Sequence, residues 1–249
     1  SIALHNPEKS LAQSSEIPMT PITTAEDKYW AKYWNQEIVS TYYNLLNPQD
    51  KDKYEYIGMP IHHVGLENDG SKEENDIRFS EQLYKTIDAI RYAINGYIKE
   101  PDKKNTNNFI GLRVIKEGIE TKKQYADFTL KTDKNGFYTL KVKGINDQLN
   151  DNKNLNLNVI VLKREVNCKD NDDDFNTTIL KQIAYKYPMG ALGEKIQIKN
   201  ESSLEKRLDL GIKNNEKAMC GLVAFIQDMK TKEIIAASYT DLTPETPAS

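Results

Sequence analysis

Cysteine and histidine are scarce in this chain of 249 residues, with two of the first and three of the second. No Cys-x-x-Cys is present, which removes thioredoxin-type exchange, because that chemistry needs a nucleophilic thiol beside a resolving one. One histidine, His5, lies near the start and the other two are adjacent at His62 and His63, so a Ser-His-Asp arrangement has little material to draw on. The Walker loop, the Gly-x-Gly-x-x-Gly turn, the Gly-x-Ser-x-Gly elbow and His-Glu-x-x-His are all missing. No apolar run approaches the roughly 18 residues of a membrane span; a lipid anchor or signal peptide cut away upstream of Ser1 stays open. Basic and acidic residues nearly balance, 34 against 37, for a net charge of -3, and they are mixed along the chain, which argues against an electrostatic nucleic-acid binder. No cofactor is called for, and a carboxylate pair for hydrolysis cannot be picked out of 37 acidic residues.

What is present speaks first about architecture. Residues 1–22 are polar, aperiodic and punctuated by Pro7, Pro18 and Pro21, as in an N-terminal arm. Thr24 and Asp27 form a variant capping box, and Tyr29, Trp30, Tyr33, Trp34, Ile38, Tyr42 and Leu45 recur at helical spacing, so the pattern predicts a helix over 25–46, stopped by Asn47-Pro48. Trp30, Tyr33 and Trp34 are candidate binding residues, or core packing by large aromatics. Residues 56–64 read as a short buried strand, with 66–75 a polar loop. Met59, His62 and His63 in that strand are the candidate metal ligands, for copper or zinc. Adjacent histidines on a strand face opposite sides, so such a site needs further ligands from elsewhere. Leu83, Ile87, Ile90, Ile94 and Tyr97 suggest a second amphipathic helix over 80–95, although Tyr92 to Gly96 reads equally as a strand closed by an Asn-Gly turn.

The polar stretch 99–108 is the best domain boundary, giving an α/β domain over 23–100 and a second domain over 109–240, with a tail at 241–249. Beyond the boundary short β-like runs follow at 109–115, 125–130, 137–142, 155–166, 177–185, 194–198 and 204–210, several with clean alternation, as in Ala126, Phe128, Leu130 and Leu155, Leu157, Val159, Val161. Two more runs, 222–226 and 234–237, flank a turn, and the first, apolar without alternation, predicts a central strand covered on both faces. Seven to nine strands in about 140 residues point to an antiparallel β-sandwich. The fold class expected for the whole chain is therefore α+β. Cys168 and Cys220 fall at the end of one predicted strand and the start of another, so a disulfide between them is expected if these are antiparallel neighbours, with two buried thiols as the other reading. The bridge would close a loop of roughly 50 residues and stabilise by about 4 kcal/mol in the chain-entropy model. Asp170, Asp172 and Asp174 alternate like calcium-loop ligands, but Phe175 stands where the sharp turn needs glycine, so a solvated acidic loop is the expectation.

Leu222-Val-Ala-Phe-Ile-Gln-Asp followed by Lys232-Glu-Ile-Ile-Ala-Ala resembles the terminal signature of Gram-negative periplasmic or outer-membrane proteins in which a thioredoxin-like domain precedes a β-sandwich. Residues 155–166, Gly193-Glu and 204–210 have similar order and spacing to that family's sandwich, and Ile57 to His63 and Ile90 to Gly96 match its thioredoxin strands. Where the family carries paired redox cysteines, this chain has Thr23-Thr-Ala-Glu-Asp-Lys-Tyr29; the resemblance thus implies a degenerate thioredoxin-like domain without redox activity. It also implies an exported protein, periplasmic or outer-membrane associated. Taken with the missing catalytic constellations, the expectation is a non-catalytic binding protein of the bacterial envelope whose partner is an envelope protein or a surface glycan. Periplasmic metal handling through Met59, His62 and His63, or a carboxylate-based hydrolase, are the alternatives.

Overall fold

A computed structural model of the chain describes residues 2–3, 35–41, 57–63, 72–81, 83–84, 91–99, 121, 123–132, 137–168 and 178–243. Thirteen strands and a single five-residue α-helix occur among them. The expected α+β class, with a thioredoxin-like α/β unit at its start, is overturned. Within the predicted first helix lies a strand, β2 (Asn35–Thr41), and the last turn of the predicted second helix is β4 (Arg91–Ile94). The reason is tertiary: β2 hydrogen-bonds on one side to β3 (Ile57–His62), antiparallel, and on the other to β4, parallel. The β-branched residues Ile38, Val39 and Thr41 suit that pleated surface better than a helix. β4 turns through Asn95 and Gly96 into β5 (Tyr97–Lys99). Both turn residues have positive φ, 50° and 90°, as a two-residue hairpin turn with right-handed strand twist requires. A Cβ on Gly96 would stand 1.7 Å from the Lys232 carbonyl oxygen.

Two sheets result. In the smaller one the order is β1 (Ile2–Ala3), β6 (Ala126–Thr132), β7 (Tyr138–Gly144), β11 (Ser203–Leu208), with every pair antiparallel. The larger has nine strands, ordered β13 (Ile234–Asp241), β12 (Cys220–Asp228), β8 (Leu155–Cys168), β9 (Thr178–Lys186), β3, β2, β4, β5, with β10 (Glu194–Lys195) paired to β8. β12 is an interior strand between β13 and β8, and all nine of its residues are buried. Alternation sends Leu155, Leu157, Val159 and Val161 of β8, with Leu222, Ala224 and Ile226 of β12, into one core against Phe128, Leu130, Leu140 and Val142 of the small sheet. Stacked sheets with alternating inward residues form a sandwich.

The large sheet also curls, so that its edge strand β13 packs on β2. Its second face then encloses another core, in which Val39 and Ile61 meet Ile160, Leu162, Ala184, Val223, Phe225 and Tyr239. Helix α1 (Lys72–Asp76) and the π-turn Ile77–Glu81 stand in the stretch between β3 and β4 and supply side chains to this face. Among the described residues no helix is long and apolar enough to cross a membrane.

Candidate functional site

At one end of the second core, where apolar packing stops, lies a buried polar cluster. The register of β2 sets Glu37 opposite Ile61 of β3 and Ala93 of β4, and a carboxylate so placed has no exposure to water. His63, two residues beyond Ile61, returns to the same face. The π-turn carries Arg78, the largest fully buried side chain among the described residues, next to Phe79.

All five guanidinium donors of Arg78 are used. Its Nε–H donates to Glu37 Oε2 at 2.8 Å. One terminal nitrogen donates to Glu37 Oε1 at 2.8 Å and to Gln227 Oε1 at 3.1 Å. The other donates to Asn158 Oδ1 and to the Ala191 carbonyl, both at 3.0 Å. Glu37 is equally saturated, since Oε1 also accepts from the Tyr84 hydroxyl at 2.8 Å and Oε2 from His63 Nε2 at 3.0 Å. On its other side His63 Nδ1 is 2.7 Å from the Tyr187 hydroxyl, which donates to Asn75 Oδ1 at 2.7 Å. Phe79 and Phe225 close the cluster, the first 5.7 Å from the His63 ring and the second 4.9 Å beneath the Arg78 guanidinium.

Electrostatics follow from this geometry. Burial alone would raise the Glu37 carboxyl pKa, but the Arg78 charge and the hydrogen bonds from His63 and Arg78 reverse it and hold the group well below the usual carboxylate range. Burial would likewise lower Arg78, and the Glu37 charge raises it instead. Burial, then the Glu37 charge, push the Tyr84 phenol well above its ordinary value. Near neutrality Glu37 is held as the carboxylate while Arg78 and Tyr84 keep their protons, and Glu37 has no lone pair left for a proton or a substrate. A general base needs a free lone pair within reach of a reacting atom; Glu37 offers none. The arrangement can do mechanical work, tying β2 and β3 to β8, the end of β9 and β12.

The residues singled out from the sequence fall in different places. His63 is in the cluster with both ring nitrogens engaged by protein groups, and His62 is buried as well. Met59 lies on β3, and its side chain is outside the described ones. Among the described residues no three His, Cys, Asp or Glu side chains converge as a metal site. Trp30, Tyr33 and Trp34, and Asp170, Asp172 and Asp174, lie outside the described residues. Cys220 is a free buried thiol, so the expected bridge to Cys168 is corrected. β8 runs five residues past Lys163, the partner of Cys220, which sets the two cysteines about 16 Å apart along the strand direction, far beyond disulfide reach. Burial, with the nearby Glu216 carboxylate, pushes the Cys220 thiol up to about 11. A second buried carboxylate, Asp228, is spent on the β12–β13 turn, where it accepts from the backbone of Lys230 and Thr231 and from Asn152. It shares no hydrogen-bond partner with Glu37. Sequence reasoning missed Glu37, Arg78, Tyr84, Tyr187, Asn158 and Gln227. The one faint signal was an arginine set between two large apolar residues, Ile77-Arg78-Phe79.

The fold and cluster together define a β-sandwich protein with a buried ionic network beside its second core. No family model matches the chain, and no curated protein matches it. Among solved structures it is similar to HBP35 of Porphyromonas gingivalis, at 19% identity and a TM-score of 0.40, over 55% of this chain and 48% of that one. It is also similar to a domain of the outer membrane lipoprotein Omp28 from Porphyromonas gingivalis, at 15% identity and a TM-score of 0.29, over 49% of this chain and 92% of that one. The matched part thus spans about half the length of HBP35.

Proposed function

We propose that this is a non-catalytic, exported binding protein of the bacterial cell envelope, whose partner is another envelope protein or a surface glycan. The observation that carries the reading is the saturation of Glu37 and Arg78: the buried titratable cluster is fully consumed by internal hydrogen bonds, as a scaffold requires and a catalyst does not. The exported compartment rests on the resemblance of 222–228 and 232–237 to envelope proteins. Partner contacts are assigned to the aromatic segment with Trp30, Tyr33 and Trp34, because large amphipathic rings dominate protein and sugar recognition. The test is affinity capture from envelope extract with the whole chain and with a Trp30→Ala/Trp34→Ala variant of unchanged thermal stability. Retention of a discrete protein or glycan by the first and its loss by the second is expected. Equal capture by both, or capture of nothing by either, contradicts the reading.

A further inference from the structure

β11 is an end strand of the small sheet, with β7 on one side. An end strand presents a row of outward backbone donors and acceptors, a ready template for another strand. The side chains of β11 alternate. Ser203, Glu205 and Arg207 are exposed on the outer face, while Leu204 and Leu208 turn toward the sandwich core. Asp209, the next residue, is exposed as well. On the outer face Glu205 stands opposite Lys141 of β7 and Arg207 opposite Thr139, and the Arg207 guanidinium lies 4.0 Å over the centre of the Phe137 ring.

The segment Ser203-Leu-Glu-Lys-Arg-Leu-Asp209 is complementary to itself read backwards. When two copies are paired antiparallel about Lys206, Glu205 of each copy meets Arg207 of the other, Leu204 meets Leu208, and Ser203 meets Asp209. Residues directly opposite in such a pair share a face, and opposite charges there attract. A slip of two residues in either direction sets Glu205 against Glu205 or Arg207 against Arg207, so the charges select one register. A slip of one residue would turn the leucines outward. The two Lys206 side chains meet at the centre on the core side. An unmatched lysine there guards an edge against pairing, but each Lys206 is matched by its own Glu194 at 2.7 Å. We propose that β11 is a self-association edge, through which two copies of this chain pair antiparallel about a two-fold axis and join their small sheets into one. Because the same edge serves both copies, the contact closes at the dimer. The charge pattern at 205 and 207 carries the inference, which is independent of the partner proposed above.

Sedimentation velocity of the intact chain over rising concentration reads the association. A reversible equilibrium between the 28.5 kDa monomer and its dimer is expected. Arg207→Glu places two carboxylates opposite each other in both symmetric pairs and should weaken the dimer by roughly tenfold or more, and Glu205→Arg should do the same with two cations. Mixing these two variants should restore association, since each then offers the other the opposite charge at both positions. The chain carrying both changes should dimerise like the unaltered one. A monomer at every concentration overturns the proposal. So does a dimer that forms equally well in the unaltered chain and in both charge-reversed variants, because it then uses another surface, and so does a mixture that associates no more tightly than its components.

Discussion

The two faces of β8 and β12 are built from the same alternating strands and solve burial in opposite ways. Toward the small sheet the side chains are Leu155, Leu157, Val159, Val161, Leu222, Ala224 and Ile226, an apolar surface that packs by shape alone. On the reverse, Ile160, Leu162, Val223 and Phe225 share the surface with Asn158 and Gln227, and those two amides receive Arg78. An apolar face tolerates imperfect partners and loses stability by increments, as methylenes are removed. A buried ionic face is tied to specific partners, because any one of them left alone is a desolvated charge. The first face makes a core by apolar packing alone, and the second combines a core with an ionic joint.

The contrast can be broken from either side. Arg78→Met leaves Glu37 buried without its counterion and should cost about 3–5 kcal/mol in urea unfolding, the largest single effect expected. Leu222→Ala, on the apolar face, should cost about 2–5 kcal/mol, with an unchanged urea slope as the mark of simple cavity formation. Acid sharpens the comparison. Glu37 has a folded pKa held below its unfolded one, so its contribution is fully present above the ordinary carboxylate range of about 4 and is lost as pH falls through the lower folded value. The unaltered chain should therefore lose stability on acidification, and Arg78→Met should lose less; parallel pH profiles for the two would count against the network. Smallest of all, Lys206→Ala removes the half-exposed pair with Glu194 at 2.7 Å and should change stability by less than about 0.5 kcal/mol.

How much of this was legible in the sequence follows the same division. The apolar face was legible: the alternation Leu155, Leu157, Val159, Val161 located β8, and the unbroken run 222–226 marked β12 as a strand covered on both sides. Period-2 patterns survive because each such strand pairs with neighbours of like pattern. In the N-terminal part the strand reading of 56–64 holds as β3, and of the two readings of 92–96 the strand closed by Asn95-Gly96 is the one found; β2 alone reads as helix, because Ile38 and the aromatics before it recur at helical spacing while the pairing of β2 with β3 and β4 is set by tertiary contacts. Helix α1 was hidden in a stretch whose polarity reads as loop. The joint was illegible for a more basic reason. Glu37 and Arg78 are 41 residues apart, and Arg78 and Gln227 are 149 apart, and one charged residue in a chain with 29% charged residues carries no mark of the partner it will meet. The cysteines show the same limit, since even for strands that are antiparallel neighbours the sequence does not carry the register, Cys220 opposite Lys163, that keeps Cys220 from Cys168.

The measurement that bears most directly on the Glu37–Arg78 joint is a double-mutant cycle in urea unfolding with Glu37→Met, Arg78→Met and the two combined. Each single change strands a buried charge, whereas the pair replaces both by apolar side chains of similar length. The two should couple by at least about 2 kcal/mol, with the double variant more stable than the sum of the singles implies. Additive losses, with a coupling near zero, would contradict the assignment of the buried pair as an ionic tie between the N-terminal strands and the sandwich.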